Sequence, residues 1–261
     1  MVRKRKRNSS NLNEKTPISL SLKRKSYENI IHVYLTVKVG EYMVDFLIDS
    51  GSTCTKVSLE MVQIWGLQNF IDKSDGDYKE QVLGRLRIPF DFQEKNLRLF
   101  PYIQVIEKSK MNEPIIGLDI LSHHYCTLML ESSNPRLLLR PCLQLPQRTK
   151  LCYNTCTLNK QIRWCMVDTG TTFTAVAEST LSLVACRVVE KEEHHETLDG
   201  SFKTTKKKVQ NVEMSIRSIV RKIDITLDNS LSCVLIGMNA LEKTRLDFRL
   251  DDIPMISSLC K

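Results

Sequence analysis

The sequence predicts an all-β protein made of two tandem lobes. Three observations lead there. A β-hairpin pattern ending in an Asp-hydroxyl-Gly turn occurs twice, as "FLIDSGST" (Phe46–Thr53) and "CMVDTGTT" (Cys165–Thr172). Each turn is followed by an apolar-apolar-Gly motif, "IIGLDIL" (Ile115–Leu121) and "LIGMNAL" (Leu235–Leu241). The segments between them read as short strands with one short helix per unit, in a chain of 261 residues with 42% hydrophobic and 26% charged content, an ordinary globular balance.

The elements follow in order. Residues 1–28 read as a disordered basic tail, poor in apolar residues and rich in Ser, Asn and charge. Residues 1–25 hold nine Lys or Arg against one acid, Glu14, which accounts for the whole net charge of +8. The rest of the chain is neutral overall. The run Arg3–Arg7 fits an import receptor or a nucleic-acid contact. A solvated tail that only aids solubility is the alternative.

Residues 29–142 form the first unit. "IIHVYLTVKV", the turn "GE" and "YMVDFLI" make a hairpin whose second strand delivers Asp49. The connection "RPCLQLPQRTK" (Arg140–Lys150) contains the linker, residues 143–150. Residues 151–261 form the second unit. "LCYNTCTL", "NK" and "QIRWCMV" repeat the hairpin and deliver Asp168. The two Asp residues are 119 apart, and the Asp-to-Gly spacing is 68 in the first copy and 69 in the second. Two motifs recurring in order at such constant spacing read as a tandem duplication.

Nine cysteines, an odd number, and a basic N-terminus with no apolar run behind it favour free thiols in a reducing compartment. The expected location is intracellular: nucleus, cytoplasm or both. No run is long and apolar enough to span a membrane, so no membrane partner is expected. Cys152, Cys156 and Cys165 lie close together but in alternating stretches without a second paired set, so neither a metal nor a cofactor is expected. His123, His124, His194 and His195 read as surface or packing residues.

The doubled Asp carries the chemistry. A carboxylate at the end of a buried strand is costly unless it has a partner. Gly51 and Gly170 permit tight backbone approach. The hydroxyls of Ser50, Ser52, Thr169 and Thr171 can bond across the turn or to the carboxylate. Two such turns set face to face bring two carboxylates within reach, and these share one proton because both cannot ionise cheaply. The neutral member polarises a carbonyl while the ionised one deprotonates a water, which is peptide hydrolysis without a metal or covalent intermediate.

These motifs resemble the retroviral-type aspartic proteases, the retropepsins, over about residues 30 to 260. Copy one, with "FLIDSGSTCT", "GRLRI" and "GLDILSHHYCTLML", is most similar to the retropepsin domain of the DNA-damage-inducible type. Copy two keeps "VDTGTTFT" and "IGMNAL" but loses the His-x-Cys ending. The resemblance implies two lobes paired around a shared cleft, with Asp49 and Asp168 as the catalytic pair, and the glycine motifs packed under the Asp turns. It also implies a covering hairpin from each lobe, Asp72–Leu86 turning at Asp75-Gly76 and Glu196–Val209 turning at Asp199-Gly200. Relatives usually carry Ala where this chain has Ser52 and Thr171, whose hydroxyls are expected to donate to the carboxylates.

Two classes of function follow. One is an aspartic endopeptidase acting on a protein or peptide substrate, monomeric because each lobe finds its partner in the same chain. The other is a catalytically inactive scaffold of the same fold that binds a peptide or partner protein. A secreted pepsin-like enzyme is disfavoured, since it calls for a leader, a propeptide and longer lobes.

Overall fold

The computed structural model describes residues 17–27, 30–75, 82–92, 95, 97–107, 113–122, 124, 126–130, 133–140, 151, 153–181, 187–196, 202–217, 219–248 and 255–258. It is all-β, with short helices only at Leu59–Ile64, Leu118–Leu121 and Met238–Leu241 among the described residues, plus single 3-10 turns. The first unit thus holds two of the three α-helices. The helix Leu59–Ile64 starts where Ser58 accepts the Met61 N–H.

The two halves share one strand order. In the first it runs Val82–Arg87, Tyr102–Ile106, Lys56–Ser58, Ile115–Ile116, Tyr42–Ile48, Ile30–Val39. In the second it runs Phe202–Ile216, Ile219–Leu227, Ala175–Val176, Val234–Ile236, Gln161–Val167, Tyr153–Leu158. The directions match as well. Ile115–Ile116 lies parallel to Tyr42–Ile48 and antiparallel to Lys56–Ser58. Val234–Ile236 does the same to Gln161–Val167 and Ala175–Val176. The first half adds Phe90–Phe92 and Leu97–Leu99 at its edge, and the second adds Arg187–Glu196.

A third, antiparallel sheet joins the halves in the order Ile18–Ser21, Arg136–Leu139, Thr127–Met129, Thr244–Asp247, Met255–Ser258. Its central pair crosses from one half to the other, with Leu128 opposite Leu246 and both side chains fully buried. One continuous apolar core runs through both halves, including Phe46 stacked at an angle on Phe90, Leu128 and Leu246.

The N-terminal segment corrects the expectation of a disordered tail to residue 28. Ile18–Ser21 pairs with Arg136–Leu139, and Lys23–Tyr27 pairs with Ile30–Val39. Leu20 and Leu22 are buried, and the Leu22 N–H donates to the Pro135 carbonyl. The cause is a short period-2 run, Ile18-Ser19-Leu20-Ser21-Leu22, whose apolar face a bulk composition count averages away. Residues 1–16 and the linker 143–150 lie outside the described residues.

Candidate active site

Each Asp is delivered by a strand whose ladder runs on past its end. The Asp49 N–H donates to the Ile116 carbonyl at 3.0 Å, and the Asp168 N–H to the Ile236 carbonyl at 3.0 Å. Inside each turn the carboxylate accepts the glycine amide: Gly51 N to Asp49 Oδ1 and Gly170 N to Asp168 Oδ1, both 2.8 Å. The turns have matched geometry because the local sequences match.

The turns lock into each other. Ser50 Oγ donates to the Val167 carbonyl at 3.0 Å, and Thr169 Oγ1 donates to the Ile48 carbonyl at 2.7 Å. The Ser50 amide donates to Thr169 Oγ1 at 3.0 Å, and the Thr169 amide to Ser50 Oγ at 3.1 Å. These four bonds are buried, so each hydroxyl serves as donor and acceptor to the opposite half. The sequence singles out both hydroxyls, for bonds across the turn or to the carboxylate; their partners lie in the turn of the opposite half.

The structure brings the Asp168 carboxylate against Gly51, the residue whose amide donates to Asp49 Oδ1. A Cβ on Gly51 would sit 2.4 Å from Asp168 Cγ, so no larger residue fits. Burial holds the Asp49 carboxyl well above the usual carboxylate range, and the neighbouring Asp168 charge and hydrogen bond raise it further. The Gly51 amide and Lys56 oppose this without overcoming it.

The second hydroxyl of each turn behaves differently. Thr171 Oγ1 donates to Asp168 Oδ2 at 2.9 Å, as expected. Ser52 Oγ instead donates to the Cys54 carbonyl at 2.9 Å, which corrects the expectation for the first half. The pair is therefore chemically unequal.

Under the turns, the glycine motifs pack against backbone. A Cβ on Gly117 would lie 2.5 Å from the Cys54 backbone, and one on Gly237 2.5 Å from the Phe173 backbone. Thr55 Oγ1 accepts the Gly117 amide and Thr174 Oγ1 the Gly237 amide, each at 3.2 Å. Asp119 accepts from the Thr55 amide and hydroxyl, and Asn239 Oδ1 accepts from the Thr174 amide and hydroxyl. Burial raises the Asp119 carboxyl, opposed by its bonds to Thr55.

His32 was not anticipated. Its Nε2 lies 2.9 Å from Thr172 Oγ1, tying the first half to the loop after Asp168. Burial lowers its pKa, against the pull of Glu113 and Asp168. The weak signal was positional: the matching place in the second half is Leu151, so the link exists on one side only.

Of the covering-hairpin residues, Asp75 ends the 3-10 turn Lys73–Asp75, while Gly76, Asp199 and Gly200 lie outside the described residues. The arms of both hairpins are paired: Asp72 bridges Arg85 in the first, and in the second the ladder runs from Arg187 opposite Gln210 to Glu196 opposite Phe202, next to the tip. Among the described residues no group of three His, Cys, Asp or Glu is arranged to hold a metal, and no helix is long and apolar enough to cross a membrane. Cys156 and Cys165 are buried thiols, and His124 is buried; Cys152, His123 and the side chains of His194 and His195 lie outside what is described.

No protein-family model matches the chain. It is similar to Protein DDI1 homolog 2 of Xenopus tropicalis, 23% identical over 155 residues, covering 55% of this chain and 39% of the relative. To Protein DDI1 homolog 2 of Homo sapiens it is 21% identical over 155 residues, covering 55% of this chain and 38% of the relative. The chain thus spans about two fifths of the length of the curated relatives it matches. Among solved structures it is similar to the retroviral protease-like domain of Ddi1 from Leishmania major, at 22% identity and a TM-score of 0.32, covering 41% of this chain and 95% of that one. The similarity to DDI1 homologs supports a retropepsin-like fold.

Proposed function

We propose that the chain is an aspartic endopeptidase that hydrolyses peptide bonds of a protein or peptide substrate with the Asp49/Asp168 pair. The observation that carries this is the meeting of the two carboxylates at Gly51, at the ends of two matched strands. A neutral Asp49 and an ionised Asp168 share one proton. Asp168 takes a proton from a water, the water oxygen adds to the substrate carbonyl carbon, and Asp49 gives its proton to the carbonyl oxygen. The tetrahedral diol then collapses: Asp168 passes the proton it took from water to the nitrogen as the C–N bond breaks, Asp49 takes a proton from a diol hydroxyl as the carboxyl product forms, and the pair is back in its starting state. The Thr171 hydroxyl and Gly170 amide hold Asp168 as acceptor throughout. Ser50, Gly51, Thr169 and Gly170 keep the pair in contact, and Ser52 buttresses its own turn.

The common strand order, at an offset of 119 between the Asp residues, supports descent by tandem duplication and pairing of the lobes within one chain. Under this reading the protein works as a monomer inside the cell, and Arg3–Arg7 engages an import receptor or nucleic acid. The test is cleavage of a diverse peptide library from acid to neutral pH. Asp49→Asn and Asp168→Asn should each abolish nearly all product, the double variant should be hardly worse, and the wild-type pH profile should be bell-shaped with values that belong to the pair. Binding without cleavage at every pH leaves the inactive-scaffold reading in its place.

A further inference from the structure

We infer that the second half carries a substrate-reading strip of exposed apolar side chains, Ile162, Trp164 and Tyr153, which takes an extended peptide bearing aromatic or large aliphatic residues. The inference rests on the proposed peptide cleavage and adds which half selects, and by what chemistry.

Side chains alternate along a strand, and the ladder of Gln161–Val167 continues through Asp168. Met166, Trp164 and Ile162 therefore share the face of the Asp168 carboxylate, while Val167 and Cys165 point into the core. Across the register, Tyr153 and Leu235 both lie opposite Met166. The face is open: Ile162 is 70% exposed, Trp164 66% and Tyr153 44%.

The matching face of the first half is closed. Leu47, Tyr34 and Ile115 stand where Met166, Tyr153 and Leu235 do, and they form a cluster only 1–5% exposed. Tyr34 Oη donates to Glu113 at 2.7 Å, and the Lys25 ammonium lies 4.0 Å from the Tyr34 ring centroid. Asp45 stands where Trp164 does. It accepts from Lys23 Nζ at 2.8 Å and from Thr36 Oγ1 at 2.7 Å. The N-terminal strand Lys23–Tyr27 thus caps one wall with its own lysines, while the other wall is left apolar and open.

Scale and continuity select the occupant. Trp164 lies four residues from Asp168, about 13 Å along a strand, the reach of about four residues of an extended peptide. The strip runs into the catalytic pair through Met166. At ~200 Å² per large side chain it exposes roughly 400 Å², half of the about 800 Å² each partner of a standard protein interface buries. A second copy of the chain is poorly served by so small a patch. A peptide held at the pair is well served, with anchors two to four residues to one side of the cleaved bond.

The experiment compares two chains on an array of extended peptides: Asp49→Asn, which retains peptide without cutting it, and Asp49→Asn with Trp164→Thr. Library cleavage by the wild type and by Trp164→Thr runs in parallel, with sedimentation of all four. The exposed position leaves the core intact, which denaturation verifies. Peptides with aromatic or large aliphatic anchors should lose about tenfold or more in affinity, while peptides with Ser or Gly there change less than about twofold. Ile162→Thr should act in the same direction. Cleavage with an unchanged preference overturns the inference and leaves the proteolytic reading standing. Trp164-dependent binding without any cleavage upholds the inference and removes that reading. A dimer that depends on Trp164, or an array on which no peptide binds, overturns the inference.

Discussion

Replacing Thr169 by Val tests whether the interlocked turns hold the two halves together. The hydroxyl makes two buried bonds to the opposite half, donating to the Ile48 carbonyl and accepting the Ser50 amide. Valine keeps the shape and removes both, leaving a buried carbonyl and a buried N–H without their partner. Each such orphan costs about 1–3 kcal/mol, so the variant should lose about 2–6 kcal/mol. Against a total of about 5–15 kcal/mol that is a large share of stability. Ser50→Ala removes the mirror-image bonds, to the Val167 carbonyl and from the Thr169 amide, and should cost a similar amount. The two hydroxyls form one ring, so the double variant should lose less than the two single losses added together. Thr171→Val, which deletes one bond to Asp168, is the weaker control. Urea denaturation measures all four. The midpoint should fall with the slope unchanged, which marks a loss of stability rather than of compactness. A Thr169→Val unfolding free energy within about 0.5 kcal/mol of wild type would refute the interlock as a structural element.

Further perturbations probe the rest of the site and the fold. Asp119 is buried with its carboxyl pulled up, so below about pH 4 both folded and unfolded forms hold the proton. As pH rises past the unfolded value, the unfolded chain ionises first and stability is lost until the folded value is passed. Asp119→Asn, which copies Asn239, should remove that loss; parallel urea-midpoint curves for variant and wild type between pH 4 and 8 would contradict it. Gly51→Ala drives a methyl to 2.4 Å from Asp168 Cγ and should cost about 1–3 kcal/mol while parting the two carboxylates, read as loss of cleavage together with a lower midpoint. Leu20→Ala in the strand Ile18–Ser21 should cost about 2–5 kcal/mol, whereas deletion of residues 1–16 should leave the midpoint in place. Neutralising Arg3–Arg7 should shift a fluorescent fusion from nucleus to cytoplasm, and an unchanged distribution removes the import role.

The Asp turns were readable because their geometry is local. Phe46-Leu47-Ile48 demands a buried strand, Asp49 ends it, and Gly51 permits the approach that follows. The glycine motifs were readable for a related reason, since the spacing between two fixed backbone contacts tolerates little change. The N-terminal strand was misjudged because Leu20 and Leu22 gain their value only from Pro135 and the strand Arg136–Leu139, more than a hundred residues away. The covering hairpins were placed by resemblance, with their turns at the Asp-Gly pairs.

The sequence by itself determined the doubled carboxylate, the turn residues around it and the alternation that makes each half a sheet. These follow from backbone sterics and from period-2 burial, which act within a few residues. Only the tertiary structure decided the partner of each hydroxyl. Ser50 and Thr169 reach across to the other half, Thr171 serves the carboxylate, and Ser52 turns to Cys54. It also decided that His32 meets Thr172, and that lysines from the N-terminal strand close one wall while Trp164 stays open on the other. A hydroxyl has several acceptors within reach of its rotamers, and a strand face is covered or bare according to what the rest of the chain lays on it. Such choices are settled by distances between residues far apart in sequence, which no local pattern encodes.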